Sequence, residues 1–354
     1  MISSSSVLGG GTKHMLTLGE NINNNFEIFY AMPKNKNFLT YFNKKNFLEI
    51  SERKINLIDI YNLMAFIKLN SINIIHAHGK GAGALSRIVN LFMHKKLIYT
   101  FHGIHLQCHS WPKRLIYISY EYITGWLDSY KILVSDSEKV HAIKSKIYLG
   151  KKSIIINNGV DNKPIKNNIQ KAGENIKENS PDFLSVITIC RFVEQKNLKD
   201  VLNIALNLPN LNFFILGNGP LWNEMKYLIK KNNLNNVNLI GEKKNIFKYL
   251  YEADIYLSTS LYEGLPISIL EAMSVGLPIV ASNVIGNYDT IENGKSGFLY
   301  QLNKISIAVN YLELLANNID LRQKIGREAF KRQRKLFSKK LMISSYIDLY
   351  KNKI

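Results

Sequence analysis

Cysteine is scarce in this sequence. Cys108 and Cys190 are its only two, and neither has a close partner along the chain. That excludes a disulfide scaffold and a four-cysteine zinc site, and it suits a reducing cytoplasm. No run of about 18 apolar residues occurs, so no transmembrane helix is expected. The richest stretch, Leu115 to Leu127, is interrupted by Glu121 and Gly125. The opening MISSSSVLGGG lacks the charged start and long apolar run of a signal peptide. Repeats at a solenoid period are absent. So is any Asp-x-Asp pair, which argues against a metal-clamped diphosphate.

Acidic residues are also few, 27 against 46 Lys and Arg, for a net charge of +19. Residues 1–160 carry 20 basic and 9 acidic side chains, and the remainder 26 and 18. The excess is spread over both halves and is not a basic tail. It suits an anionic ligand, an anionic membrane surface or nucleic acid; solvated lysines are the plainer explanation.

The chain has 354 residues, 46% of them hydrophobic, enough for two domains that each bury a core. Short apolar runs alternate with longer amphipathic stretches. Strands are expected at Phe26–Tyr30, Ile72–Ala77, Leu97–Thr100 and Lys131–Ser135, after a short opening strand near Ile2. In the second half they are expected at Phe183–Ile189, Asn212–Leu216, Val237–Ile240, Ile255–Ser258 and Pro278–Ala281. Helical spacing fills gaps such as Asn197–Ala205, Leu221–Lys231 and Ile267–Val275. Strands separated by helices imply right-handed βαβ units, so the fold class is α/β with two parallel sheets. The polar segment between Gly159 and Pro181 reads as the linker. Domains are expected at 1–160 and 161–337, with the apolar-striped 338–354 packing back on the first.

Several strand ends carry residues suited to chemistry. Gly9-Gly10-Gly11 follows the opening strand, where backbone amides can approach a phosphate; a tight turn is the alternative. Gly79-Lys80-Gly81-Ala82-Gly83 lacks the dinucleotide-binding spacing, and close helix–strand packing explains it more simply. Five histidines, His76, His78, His102, His105 and His109, fall close together. His-Ala-His at 76–78 has no flanking carboxylate or cysteine at ligand spacing, so no metal is expected. His102 follows a strand directly and points to the crevice where parallel sheets bind ligands. Arg191 and Lys196, between a strand and a helix, are placed to clamp one diphosphate, Arg as a fork of donors and Lys as a point charge. Gly217 and Gly219, in Leu-Gly-Asn-Gly-Pro, form a tight turn suited to a base or ribose. In EGLPISILEAM, Pro266 suits a first helical position. The amides of Leu265, Pro266's neighbour Ile267 and Ser268 then face an anion with the helix dipole assisting. Glu263 lies in the preceding loop and Glu271 one turn or more into the helix.

Taken together, these segments resemble a family-4 glycosyltransferase of the GT-B fold over nearly the whole chain. The resemblance rests on the glycine loop, TFHG (Thr100–Gly103), NNGVD (Asn157–Asp161), Arg191 with Lys196, LGNGP, and above all Glu263 and Glu271 in EGLPISILEAM. GLPIVAS and GNYDTIENGKSGFLY resemble the family's closing segment. It implies two Rossmann-like domains facing across a cleft, the second holding most of a nucleotide-sugar donor, with UDP the better choice of nucleotide. Arg191 and Lys196 would hold the diphosphate, Glu271 the ribose hydroxyls, and Glu263 with the amides beside it, in the turn of Leu265, Pro266 and Ile267, the sugar and phosphates. Gly10 and Gly11 would approach the diphosphate from the first domain, Gly217 and Gly219 would border the nucleoside, and His102 would lie near sugar and acceptor. The family transfers sugars with retention, without a bound metal or cofactor here, to a glycan or lipid-linked acceptor. Such an enzyme works in the cytoplasm, at the inner membrane face when its acceptor is lipid-linked. A nucleotide-sugar epimerase of the same fold is the nearest rival, and it would need further carboxylate and histidine machinery. A nucleic-acid-binding protein would need a basic aromatic platform, whereas the tyrosines here are dispersed.

Overall fold

In the computed structural model, all residues are described except Leu8, 36–43, His105, 107–109, Lys151, 167–183 and Ile354. The chain divides into two compact units, Met1–Asn158 with Met342–Ile354, and Gly159–Leu341.

The first unit is built on strands β1 (Ile2–Ser3), β2 (Tyr30–Met32), β3 (Phe47–Glu49), β4 (Ile74–His78), β5 (Lys96–Thr100), β6 (Tyr130–Leu133) and β7 (Ser153–Ile155). They form one sheet in the order β3-β2-β1-β4-β5-β6-β7, with every pairing parallel. Both faces are covered, as a parallel sheet requires. Along β5, Leu97 and Tyr99 enter a core shared with the helices Leu57–Leu69 and Lys80–Met93. Ile98 points the other way, into a core with the helices Gly10–Ile22 and Lys339–Asp348. The alternation within three residues is the period-2 signature of a strand buried on both sides.

The second unit holds β8 (Leu184–Ile189), β9 (Leu211–Leu216), β10 (Val237–Gly241), β11 (Ile255–Ser258), β12 (Ile279–Ser282) and β13 (Phe298–Tyr300). Their order is β10-β9-β8-β11-β12-β13, again all parallel. Each unit is therefore a Rossmann-like open sheet whose strand order reverses once, between β1 and β4 in the first and between β8 and β11 in the second.

Some local expectations are corrected. The strand expected at Phe26–Tyr30 lies at Tyr30–Met32. Phe26 instead packs edge-on against Tyr350, and the Phe29 carbonyl accepts from the buried amino terminus. The three-residue strands β3, β7 and β13 were not expected, being too short to show alternation. The linker's first residues do not hang free. The Lys166 amide donates to Val275 O at 2.9 Å and its ammonium pairs with Asp254 at 3.1 Å. The rest of that segment lies outside the described residues.

Candidate active site

In open α/β sheets, ligands bind beyond the carboxyl ends of the strands where the strand order reverses, because the two flanking loops part there. Each unit has one such crevice, and the sequence-predicted residues fall at both.

In the second unit, Cys190–Lys196 leaves β8 and Thr259–Pro266 leaves β11. Thr259 Oγ1 donates to the carbonyls of Lys196 and Asn197 at 2.9 and 3.0 Å. Gln195 Nε2 donates to Tyr262 O at 2.8 Å, and Leu261 N donates to Gln195 O at 2.8 Å. These bonds lace the two loops together. They bring Lys196 onto Glu263 in a short, mostly buried ion pair. Sequence reasoning assigned both residues to the site but missed that they are partners. Arg191 sits half-buried in the same β8 loop. Cys190 beside it is no nucleophile, because burial pushes its thiol up to about 12.

Glu271 lies in the helix Ile267–Ser274 and is buried, as is Glu263. Pro266 precedes the helix as its cap, with φ −75° and ψ 110°, and does not occupy the first helical position. Its carbonyl accepts from Leu270 N at 3.2 Å. The first-turn amides, from Ile267 onward, have no partner within the helix and point along its positive end. Behind the loop stands Gly286, with φ +84°. A Cβ there would lie 2.4 Å from Gly264 O and 3.1 Å from Glu263 Cβ. Asn287 donates to Ser282 O at 2.9 Å, and Ser282 Oγ donates to Ser260 O at 2.5 Å. The GNYDT segment thus props the Glu263 loop from below.

Gly217 and Gly219 have a structural reason that needs no ligand. A Cβ on Gly217 (φ +131°) would lie 1.8 Å from Cys190 O, and one on Gly219 would lie 2.6 Å from Phe192 O. Both glycines let the β9 turn close onto the β8 loop that carries Arg191.

In the first unit, Gly10 and Gly11 open the helix Gly10–Ile22, with Gly9 as its cap. Gly11 faces His102, whose Cδ2 would be 3.2 Å from a Cβ. His102 has φ +56°, a left-handed conformation that an L-residue adopts only when its surroundings hold it there. Glu138 supplies part of that hold, accepting from Gly103 N at 2.6 Å and Val134 N at 2.7 Å. In the 79–83 cluster Gly81 and Gly83 serve packing, as expected, whereas Gly79 answers to its φ of +83° and not to a close neighbour. A Cβ on Gly81 would meet Ser4 Oγ at 2.4 Å, and one on Gly83 would meet the Tyr99 ring at 2.8 Å.

His102 belongs to a cluster. Its Nε2 is 2.9 Å from His78 Nδ1, and its ring lies edge-on to His14 at 4.8 Å between centroids. His14 bonds Asn158 Oδ1 at 2.9 Å and Tyr346 OH at 3.0 Å. His76 bonds Tyr350 OH and Thr100 Oγ1 at 2.5 and 2.8 Å. Burial lowers every one of these imidazoles, His14 to about 4 and the other three well below the ordinary value. They are neutral at pH 7, each able to donate one hydrogen bond and accept one. His14, His78 and His102 each place a ring nitrogen within 4.8 Å of the others. The donor set that sequence spacing did not suggest is therefore assembled in space, although hydrogen bonds already engage these rings. His14 and Glu138 were both missed; His14 stands one turn along the helix from Gly11, which was the available signal. His105 and His109, with Cys108, lie outside the described residues.

Comparison with known proteins accords with this arrangement. Residues 8–163 match the family described as glycosyltransferase family 4, and residues 166–332 match glycosyl transferases group 1. An Escherichia coli UDP-Gal:alpha-D-GlcNAc-diphosphoundecaprenol alpha-1,3-galactosyltransferase is 30% identical over 273 residues, covering 73% of this chain and 69% of that protein. The E. coli O-antigen biosynthesis glycosyltransferase WbnH is 26% identical over 71% of this chain and 72% of its own. Among solved structures, Anabaena HepE in complex with UDP and glucose superposes with a TM-score of 0.84 at 16% identity, covering 99% of this chain and 98% of that one. The lipopolysaccharide outer core galactosyltransferase WaaB superposes with a TM-score of 0.72 at 17% identity, covering 100% and 98%. With two Rossmann-like units and both family regions in sequence order, the chain belongs to the glycosyltransferases of family 4 and has their GT-B fold.

Proposed function

We propose that this glycosyltransferase moves a hexose or N-acetylhexosamine from a UDP-sugar to a growing surface glycan or lipid-linked acceptor, with retention and without a metal. The observation that carries the reading is the second unit's crevice. There Lys196, Glu263, Arg191 and the amino end of the Glu271 helix converge on one strand-order reversal. Two cations and a helix terminus suit a departing diphosphate. Two buried carboxylates suit the hydroxyls of ribose and sugar. The named substrates of the E. coli galactosyltransferase, and the UDP held by HepE, support the choice of UDP and of a lipid-linked glycan.

The chemistry follows from where charge develops. The bond from the anomeric carbon to the diphosphate oxygen breaks, and the sugar becomes oxocarbenium-like. The acceptor hydroxyl attacks from the face the diphosphate leaves, and its proton passes to a diphosphate oxygen. Arg191, Lys196 and the amides after Pro266 gain most when that negative charge is fullest, so they stabilise the transition state above the ground state. On this reading the diphosphate becomes a second partner for Lys196 beside Glu263. His102, neutral, offers hydrogen bonds to sugar or acceptor without adding charge. Leu265 and Ile267 frame the diphosphate in the second unit, and in the first unit the turn of Gly10 and Gly11 offers backbone amides suited to an anion. The acceptor is drawn from an anionic membrane surface at the cytoplasmic side.

A panel of nucleotide sugars tests the donor by thermal protection. A ligand at 100 times its dissociation constant stabilises by about 2.7 kcal/mol, and a UDP-sugar is expected to stand out. Turnover with that donor should survive EDTA and give the same anomer as the donor by NMR. Loss of activity restored by Mn²⁺, or an inverted product, overturns the metal-free retaining reading.

A further inference from the structure

His78 is a member of the first unit's histidine cluster for which the sugar transfer has given no task. It ends β4, in register with Thr100 at the end of β5, and His102 follows two residues later. His78 is buried, whereas His102 is partly exposed. His78 Nδ1 is 2.9 Å from His102 Nε2, with the ring centroids 5.2 Å apart and the planes 20° apart. In an imidazole, a ring N–H and a ring lone pair both point directly away from the ring centre. The centroid separation here is about the N···N distance plus the two centre-to-nitrogen reaches. Both nitrogens therefore lie on the line between the centres. The rings meet edge to edge, nearly in one plane, and their hydrogen bond is straight.

The neighbours hold this edge in place. His76 packs against His78 with 4.0 Å between centroids, and is itself bonded to Tyr350 OH and Thr100 Oγ1. Gly11 leaves room for the Cδ2 edge of the His102 ring.

A straight bond between two neutral rings contains one proton. Burial keeps both imidazoles neutral, so each has one N–H and one lone pair. If His102 Nε2 donated, His78 would carry its proton on Nε2. That atom is sealed from solvent and has no hydrogen-bond partner among the described residues. A buried N–H would then be orphaned. If His78 Nδ1 donates instead, only a bare lone pair is buried at Nε2, the deficit that native proteins tolerate more readily. The second placement also fixes the state of His102. Its Nε2 lone pair is spent on His78, so its own proton sits on Nδ1. Among the described residues nothing bonds that Nδ1.

We propose that His78 is a positioning residue that makes His102 a hydrogen-bond donor through Nδ1, aimed at an oxygen of the sugar or the acceptor, and bars it from acting as a base. The inference rests on the proposed sugar transfer and assigns the direction of one of its hydrogen bonds. With its lone pair engaged, His102 has no place for the acceptor's proton, in keeping with transfer of that proton to a diphosphate oxygen. A substrate without an oxygen at this point leaves the N–H unanswered, so the contact selects as well as positions.

The test uses the full chain labelled with ¹⁵N-histidine and the variants His78→Asn and His78→Leu. Asn sets an amide N–H close to where Nδ1 stands, and Leu keeps the bulk without a donor. Long-range ¹H–¹⁵N correlation spectra at pH 7 read which nitrogen of each ring is protonated, and a His102→Gln spectrum identifies the His102 signals. His102 should be protonated at Nδ1 in the parent and in His78→Asn. In His78→Leu its signals should move toward those of a ring exchanging between both forms. Turnover of the UDP-sugar should fall about tenfold to a hundredfold in His78→Leu and recover most of the way in His78→Asn. UDP binding by calorimetry should stay unchanged in both, because the proposed nucleotide site is in the second unit. A parent protonated at His102 Nε2 overturns the proposal, and so does His78→Leu turning over like the parent. Equal losses in the two variants overturn it too, since the ring's shape and not its donor would then be what counts. If His78→Leu fails to fold, the parent spectrum and His78→Asn decide. The spectrum needs no substrate: a parent that no UDP-sugar protects would be a failure of the proposed function, and the place of the His102 proton would still be read.

Discussion

Glu263 and Glu271 have different surroundings, and that difference makes a prediction. Glu263 is paired with Lys196 in the loop, whereas Glu271 is carried within a helix. If Glu271 meets the unreacting ribose, Glu271→Gln should weaken UDP-sugar and free UDP alike. Glu263→Gln should spare UDP binding and lower turnover, because a contact strengthened at the reacting centre shows in rate. Calorimetry with UDP gives the first quantity and initial rates the second; the reverse pattern would exchange the two roles. Lys196→Ala removes a charge from the departing diphosphate and should cost about 2.7–4 kcal/mol in the barrier. Because Lys196 and Glu263 touch, the double variant should fall short of the sum of the singles. The buried histidines make a second prediction at this scale. His14 titrates near 4 in the fold against an ordinary value of 6.5, so between those values the unfolded chain binds more protons. Stability is then full above pH 6.5 and is lost as the pH falls through 4. The full term for His14 alone is on the order of 3 kcal/mol. Unfolding midpoints measured from pH 7 down to 4 should fall, and His14→Asn should flatten the fall.

At the scale of elements, the loops after β8 and β9 behave as one unit because glycine removes the side chains that would part them. Gly217→Ala combines a positive φ of +131°, which L side chains rarely adopt, with a Cβ 1.8 Å from Cys190 O. Strain of about 1–3 kcal/mol is joined by overpacking of similar size. The variant should therefore lose several-fold more stability than Gly79→Ala. At Gly79 the φ is +83° but nothing lies within 4 Å of the added carbon. Chemical denaturation compares the two. Because the β8 loop carries Arg191, Gly217→Ala should also weaken UDP binding, whereas Gly79→Ala should leave it unchanged.

At the scale of the whole molecule, the chain's last helix completes the unit that its first residues begin. Tyr346 and Tyr350 are buried, and their hydroxyls partner His14 and His76. Met342 and Leu349 fill the same core as Leu18 and Ile98. Deleting Met342–Ile354 leaves two buried imidazoles short of a partner and opens that core. Each orphaned polar group costs about 1–3 kcal/mol, before any lost apolar burial. Limited proteolysis of the truncated chain should cut within residues 1–158 first, while fragments of Gly159–Leu341 persist. Equal resistance of both units would show that the tail is dispensable.

What the sequence determined by itself is the run of strands and the identity of the loops that end them. β8, β9, β11 and β12 were legible because a strand buried on both faces must be a continuous apolar run, and Val186, Ile187, Phe213 and Leu257 are such residues. The EGLP loop and the Arg191–Lys196 loop were legible because their charges interrupt the apolar pattern where strands stop. β3, β7 and β13 were not, because three residues show no period. Tertiary structure alone decided which distant residues meet. His14 and His102 are 88 positions apart, and Lys196 and Glu263 are 67 apart, yet each pair is in contact. Those meetings depend on the order in which strands enter a sheet, and a one-dimensional pattern of polarity carries no information about that order. The same holds for Glu121: its charge reads as a break in an apolar helix, and only the buried partner Arg87 makes it the fastening of that helix.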